Sequence, residues 1–189
     1  MKSVQEITVL VIVSYEELHH ILTKKGFTIL SEFQLNDIYM ISDAVSVLAE
    51  SKLDLLNKCI LVREVTDSSG VDSKLLYKYK EYDEKGDIIK QGKTWCSVLD
   101  AHQAYQFMEL IGYHELIRIY DHSIVYQNGK IELAVQLVND KYVMIEFEDD
   151  RFNIDKLKAL LDSYDLPYRK DNYFVKKALM VLEDTIKQG

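Results

Sequence analysis

The stretch IELAVQLVNDKYVMIEFED, residues 131–149, constrains this chain most. Polar and apolar residues alternate on either side of Asn139-Asp140. Alternation with a period of two marks a half-buried strand, and Asn-Asp tolerates the backbone angles of a tight turn. The pattern recurs. LLYKYKEY and DIIKQGKTWCSV flank DEKG, and SIVYQ runs into the first stretch through Asn128-Gly129. Strands joined by hairpins pair antiparallel. VQEITVLVIVS, FTILSEF, DIYMIS, CILVREV and ELIRIY supply further strands, for eight or nine in all.

Four helices accompany them. Ser14 followed by Glu17 is a capping box, the apolar stripe Leu18, Ile21 and Leu22 follows, and Gly26 is the stop signal. Asp100 with Gln103 caps a second helix that ends at Gly112. Residues 154–163 and 172–186 carry the helical period. Residues 43–57 are left open, with a partly helical reading. The chain's 189 residues suit one domain, 1–189. The predicted fold class is α+β: an antiparallel, closed or nearly closed β-barrel with helices packed outside and a polar lumen. An open, helix-backed sheet is the competing architecture.

The formal net charge of −8 argues against a nucleic-acid partner or an anionic membrane surface. The apolar run of residues 7–13 is too short to span a bilayer. It also leads into YEELHH rather than a small-residue cleavage site, so a cytoplasmic location is expected. Cys59 and Cys96 lack a CxxC spacing and read as buried thiols of a reducing compartment. Gly92-Lys93-Thr94 looks like the end of a phosphate loop. Gly86 stands one residue too far upstream, and no helix opens after Thr94, so the motif is rejected. His19 and His20 point to different sides of a helix, and His114-Glu115 lacks a second histidine, so neither pair reads as a metal site.

What remains is charge at alternate strand positions. For any one residue a solvated face is the simpler reading. Collectively, Arg63, Lys78, Lys80 and Lys93 come from successive strands, and Glu6, Glu132, Glu146 and Glu148 from the first and last. In one lumen, the basic side chains would hold a polyphosphate. The carboxylates would hold Mg²⁺ or Mn²⁺ against its oxygens.

The order of elements resembles the CYTH superfamily, which includes class IV adenylyl cyclases, thiamine triphosphatases and related triphosphate tunnel proteins. The first strand with SYEEL stands where that family carries ExExK and a helix. QLNDIYMIS is similar to its Q-x-D-x-Y strand, CILVREV to its R-x-R strand, and LLYKYK to its L-T-x-K. GYHELIRIYDHSIVY, IELAVQLVNDKYVMIEFE and DNYFVKKAL follow the later strands and the closing helix.

Carried over by position, Glu6, Arg63, Lys78 and Glu146 keep the family's charges. Thr8, Leu10, Leu61, Asp121, Ser123, Ala134 and Met144 replace them. The first strand has thus lost two of three charges, and each lost carboxylate removes a hard oxygen ligand for a metal. Two functional expectations follow. In one, the tunnel binds a phosphorylated small molecule, a nucleotide or an organic triphosphate, with a divalent metal. Any turnover would then be cyclisation or hydrolysis. In the other, the chain is a non-catalytic binding or regulatory module acting through a protein partner, with a lumen packed by Leu10, Leu61 and Met144. A homodimer is compatible with either.

Overall fold

The computed structural model describes residues 6–82, 88–129, 131–149 and 153–188. Along the described chain run β1 (Glu6–Leu10), α1 (Tyr15–Lys24), β2 (Thr28–Ser42), α2 (Lys52–Lys58), β3 (Ile60–Asp67), β4 (Gly70–Tyr82) and β5 (Ile88–Val98). They are followed by α3 (Ala101–Leu110), β6 (Tyr113–Asn128), β7 (Ile131–Val138), β8 (Tyr142–Glu148), α4 (Ile154–Ser163) and α5 (Lys177–Gln188). The strands form one sheet in the order β1-β8-β7-β6-β2-β3-β4-β5. The pairs β1/β8, β7/β8, β6/β7, β3/β4 and β4/β5 are all antiparallel. The fold is therefore α+β and antiparallel, as expected. Hydrogen bonds among the described residues do not close the sheet, since β1 and β5 end the strand order.

Several boundaries differ from the sequence reading. FTILSEF and DIYMIS belong to one strand, β2, because no glycine or proline interrupts residues 28–42. ELIRIY and SIVYQ likewise merge into β6. The polar Tyr120–Ser123 stretch suggests a break, but its groups are satisfied in place. Tyr120 N–H donates to Asn139 Oδ1 at 2.7 Å, and Ser123 Oγ donates to buried Asp121 at 2.8 Å. The last helix starts at Lys177, not 172. Cys59 is buried, and burial pushes its thiol up to about 12. Cys96 is exposed on β5, contrary to expectation. DEKG lies outside the described residues. The turns at Asn128-Gly129 and Asn139-Asp140 are present, with φ of +62° at Gly129 and of +50° and +53° at the Asn-Asp pair.

The chain divides into two compact units: Met1–Gln34 with Tyr120–Lys176, and Leu35–Ile119 with Lys177–Gly189. In the first, Ile7 and Val9 of β1, Ile145 and Phe147 of β8, and Leu133 and Val135 of β7 share one core. Leu18 and Leu22 of α1 and Leu157 and Leu161 of α4 belong to the same core. Ser14 Oγ accepts Glu17 N–H at 3.3 Å, as the capping box requires. Tyr126 is fully buried here, and its hydroxyl is satisfied by His19 Nδ1 at 2.7 Å and Tyr15 Oη at 3.1 Å.

The outer edge of β1 is covered by residues 167–175. Thr8 N–H donates to Tyr173 O, Val175 N–H to Thr8 O, Arg169 N–H to Leu10 O and Ile12 N–H to Pro167 O, all at 2.8–2.9 Å. The strand is thus paired on both sides, which removes an exposed edge. Asp162, near the end of α4, anchors this strap by accepting the hydroxyls of Tyr168 and Tyr173.

In the second unit the sheet has apolar clusters on both faces. Ile38, Met40 and Val62 pack with Ala101, Ala104 and Met108 of α3. Ile41, Leu61 and Leu76 pack with Leu55 of α2 and with Cys59. Asp100 Oδ1 caps α3 by accepting Gln103 N–H at 2.8 Å. Lys52 and Glu183 join α2 to α5 at 3.1 Å.

Candidate functional site

Alternation along β4 puts Lys74, Leu76 and Lys78 on one face, and the β3/β4 hairpin sets their register. Asp67 Oδ1 accepts Ser69 N–H at 2.7 Å in that turn, and Gly70 takes a φ of +130° that other residues avoid. Directly opposed partners share a face of an antiparallel pair. Lys78 opposes Lys93, Leu76 opposes both Leu61 and Trp95, and Lys74 opposes Arg63 and Ser97. One face of β3, β4 and β5 therefore carries Arg63, Lys74, Lys78 and Lys93 around Trp95.

Lys78 is half-buried, and its amine is lowered from 10.5 to about 8. Desolvation is the main cause. The charge of Arg63 adds to it, Asp37 opposes, and Lys93 and Lys177 lower the amine by smaller amounts. Lys93 is exposed on the edge strand β5. A partly desolvated amine among like charges suits an added anion, which would relieve both penalties.

Arg63 is engaged differently from the sequence expectation. Its Nε donates to Asp37 Oδ1 at 2.6 Å and its Nη2 to Asp37 Oδ2 at 2.5 Å, with Asp37 almost fully buried. That bidentate pairing uses the geometry a phosphate would seek, so Arg63 contributes its field more than its fork. Lys80 opposes Gln91 in the backbone register, and its side chain lies outside the described residues. Leu61, at the position of the lost arginine, is 1% exposed within the apolar cluster under α2.

The acidic candidates all fall in the first unit. Glu146 opposes Thr8 on one side and Ala134 on the other, and its Oε2 accepts Gln136 Nε2 at 3.0 Å. Glu6 opposes Glu148 at the open end of the strand pair, where both are exposed. Glu132 is exposed near the start of β7. Among the described residues no group of three or more His, Cys, Asp or Glu side chains is placed to hold a metal ion. The donor set of the described residues does not fit a divalent-metal centre. The two positions flanking Glu146 carry a threonine and an alanine, neither of which adds a carboxylate. On the same face Asp121 and Ser123 are buried and bonded to each other, and Met144 is fully buried.

Sequence reasoning singled out neither Trp95, Asp37 nor Lys177. Trp95 shares strand parity with Lys93, a signal that was available. Asp37 lay inside the Q-x-D-x-Y match. Nothing in the sequence links Lys177 to Lys78, 99 positions away.

No family model matches the chain, and no curated protein does. Solved structures do. The chain is similar to the PH1819 protein of Pyrococcus horikoshii, with 15% identity, a TM-score of 0.68, and 98% of this chain and 99% of that one covered. It is also similar to the candidate adenylyl cyclase HpAC1 of Hippeastrum, described as having a dominant triphosphatase activity. There the identity is 13%, the TM-score 0.63, and 96% of each chain is covered. A Vibrio parahaemolyticus protein provisionally assigned as an adenylate cyclase matches at 14% identity and a TM-score of 0.55, over 90% of this chain and 94% of that one. These likenesses show the fold, an antiparallel α+β architecture of the kind that the sequence resemblance implied. At such identities they carry no chemistry with them. No described helix is long and apolar enough to cross a membrane.

Proposed function

We propose that this chain binds a phosphorylated small molecule on the cationic face of β4 and β5 and does not turn it over by metal-assisted chemistry. The opposed Lys78–Lys93 pair carries the reading: a half-buried ammonium beside a second one, with Arg63 and Lys177 adding positive field. Such an arrangement is unfavourable until an anion arrives. The absence of turnover is supported by the first unit's described carboxylates, which do not gather into a metal-holding group, and by the buried Leu61 in the place of a cation. A divalent ion enters this reading only as a companion of the ligand's own phosphates.

The test is calorimetric titration of the full chain with inorganic triphosphate, with and without Mg²⁺, beside Lys78→Ala and Lys93→Ala. Binding that persists without metal and weakens roughly tenfold in either variant is expected, the size of one charge-assisted contact. Binding that requires Mg²⁺ and is insensitive to both lysines would place the site elsewhere. Phosphate release from ATP or triphosphate, abolished by Glu146→Ala, would overturn the non-catalytic half of the reading.

A further inference from the structure

Trp95 is the chain's single tryptophan, and it stands 55% exposed on β5. A large aromatic side chain left that open, on a face with other chemistry, calls for a reason. Its partner in register is Leu76, which is 2% exposed within the apolar cluster under α2. The indole therefore sits at the rim of an apolar patch. Cations lie on both sides of it along the ladder. The opposed pair Lys78 and Lys93 is one same-face step away, a strand distance of about 7 Å. On the other side Lys74 places its Nζ 5.1 Å over the ring centroid and is also paired with Asp72. Lys74 takes part of the indole surface, and more than half of the residue stays open to an incoming ring. An aromatic surface beside a backbone-tracking row of cations is the combination by which proteins hold nucleobases and their phosphates together.

Resting on the phosphate-binding reading above, we infer that Trp95 is a stacking platform for a planar ring, so that the ligand class is a nucleotide rather than an inorganic polyphosphate. The base lies on the indole, and the phosphates reach Lys78 and Lys93 one rung away, a separation that a pentose spans. Trp95 acts through contact and selectivity, with no part in any bond change. Its position on an edge strand, largely exposed, makes it replaceable without disturbing the core.

The sole tryptophan makes the test direct. ATP and inorganic triphosphate are titrated separately into the full chain, with affinity read by calorimetry and ring contact by tryptophan fluorescence. ATP is expected to quench Trp95 and to bind roughly tenfold tighter than triphosphate, the contribution of one stacked base. Triphosphate should leave the emission nearly unchanged. Trp95→Ala should remove the advantage of ATP while leaving triphosphate affinity as it was, and Trp95→Tyr should restore part of it. Equal affinities for the two probes in the wild type would overturn the stacking inference and leave phosphate binding standing. So would an equal loss for both in Trp95→Ala. Failure of both probes to bind overturns the phosphate-binding reading and this inference with it.

Discussion

Lys78→Met should make the protein more stable at neutral pH while weakening its hold on anions. The amine of Lys78 falls from 10.5 to about 8 in the fold. Each pH unit of such a difference is worth about 1.4 kcal/mol between the two protonation states. The folded protein therefore bears a penalty of about 3 kcal/mol for holding the charged form at pH 7, as an upper bound. The sign follows from proton counts. Between about pH 8 and 10.5 the unfolded chain binds the proton that the folded chain has released, so stability rises with pH across that window. Below it both states are protonated and the penalty is fully present. Methionine keeps most of the aliphatic stem and carries no charge, so the penalty disappears.

Denaturant unfolding of both proteins at pH 7 and at pH 10 measures this. The variant should be more stable by about 1–3 kcal/mol at pH 7, with the gap closing by most of that amount at pH 10. A variant that is less stable at pH 7, or a gap that ignores pH, would refute the claim that Lys78 is held charged at a cost. On the proposed function, the same linkage predicts that anion affinity falls as pH rises through about 8, because the deprotonated amine has lost the charge that attracts a phosphate.

Two further outcomes follow from packing. A Cβ added at Gly92 would lie 2.2 Å from Tyr79 Cε1, inside any real contact distance. Gly92→Ala should therefore destabilise by about 1–3 kcal/mol, and most of that loss should vanish in a Tyr79→Ala background; additive effects would sink the steric account. Asp162→Ala removes the acceptor for Tyr168 and Tyr173, so the strap over β1 should loosen. Hydrogen exchange at the Thr8 and Val175 amides, both engaged in that strap, should accelerate, while the Ile145 amide in the core of β8 should not.

Much of the fold was legible because alternation reports directly on which face of a strand is dry. Tyr142–Glu148 and Ile131–Val138 form β8 and β7 with the turn placed as their Asn-Asp pair requires. The caps at Ser14 and Asp100 were equally plain, since an N-cap is a contact within three residues. The length of β2 and β6 was not legible. Their polar midpoints imitate loops, and only partners such as Asn139 show that the backbone continues extended. The strap at 167–175 was read partly as helix, because its pairing with β1 joins residues more than 150 positions apart.

The site divides in the same way. Strand parity alone put Lys78 and Lys93 on one face, since parity is a local property of an extended chain. It equally put Arg63 there, but not the buried Asp37 that occupies its guanidinium. Nor did it reveal that Leu61 and Leu76 would be covered by α2, or that Trp95 would remain open at their rim. The sequence by itself determined which residues could share a face, because period and turn chemistry act over a few residues. Only the tertiary structure decided which of those faces are buried and which charges are already paired, because burial and ion pairing depend on neighbours that chain order does not name.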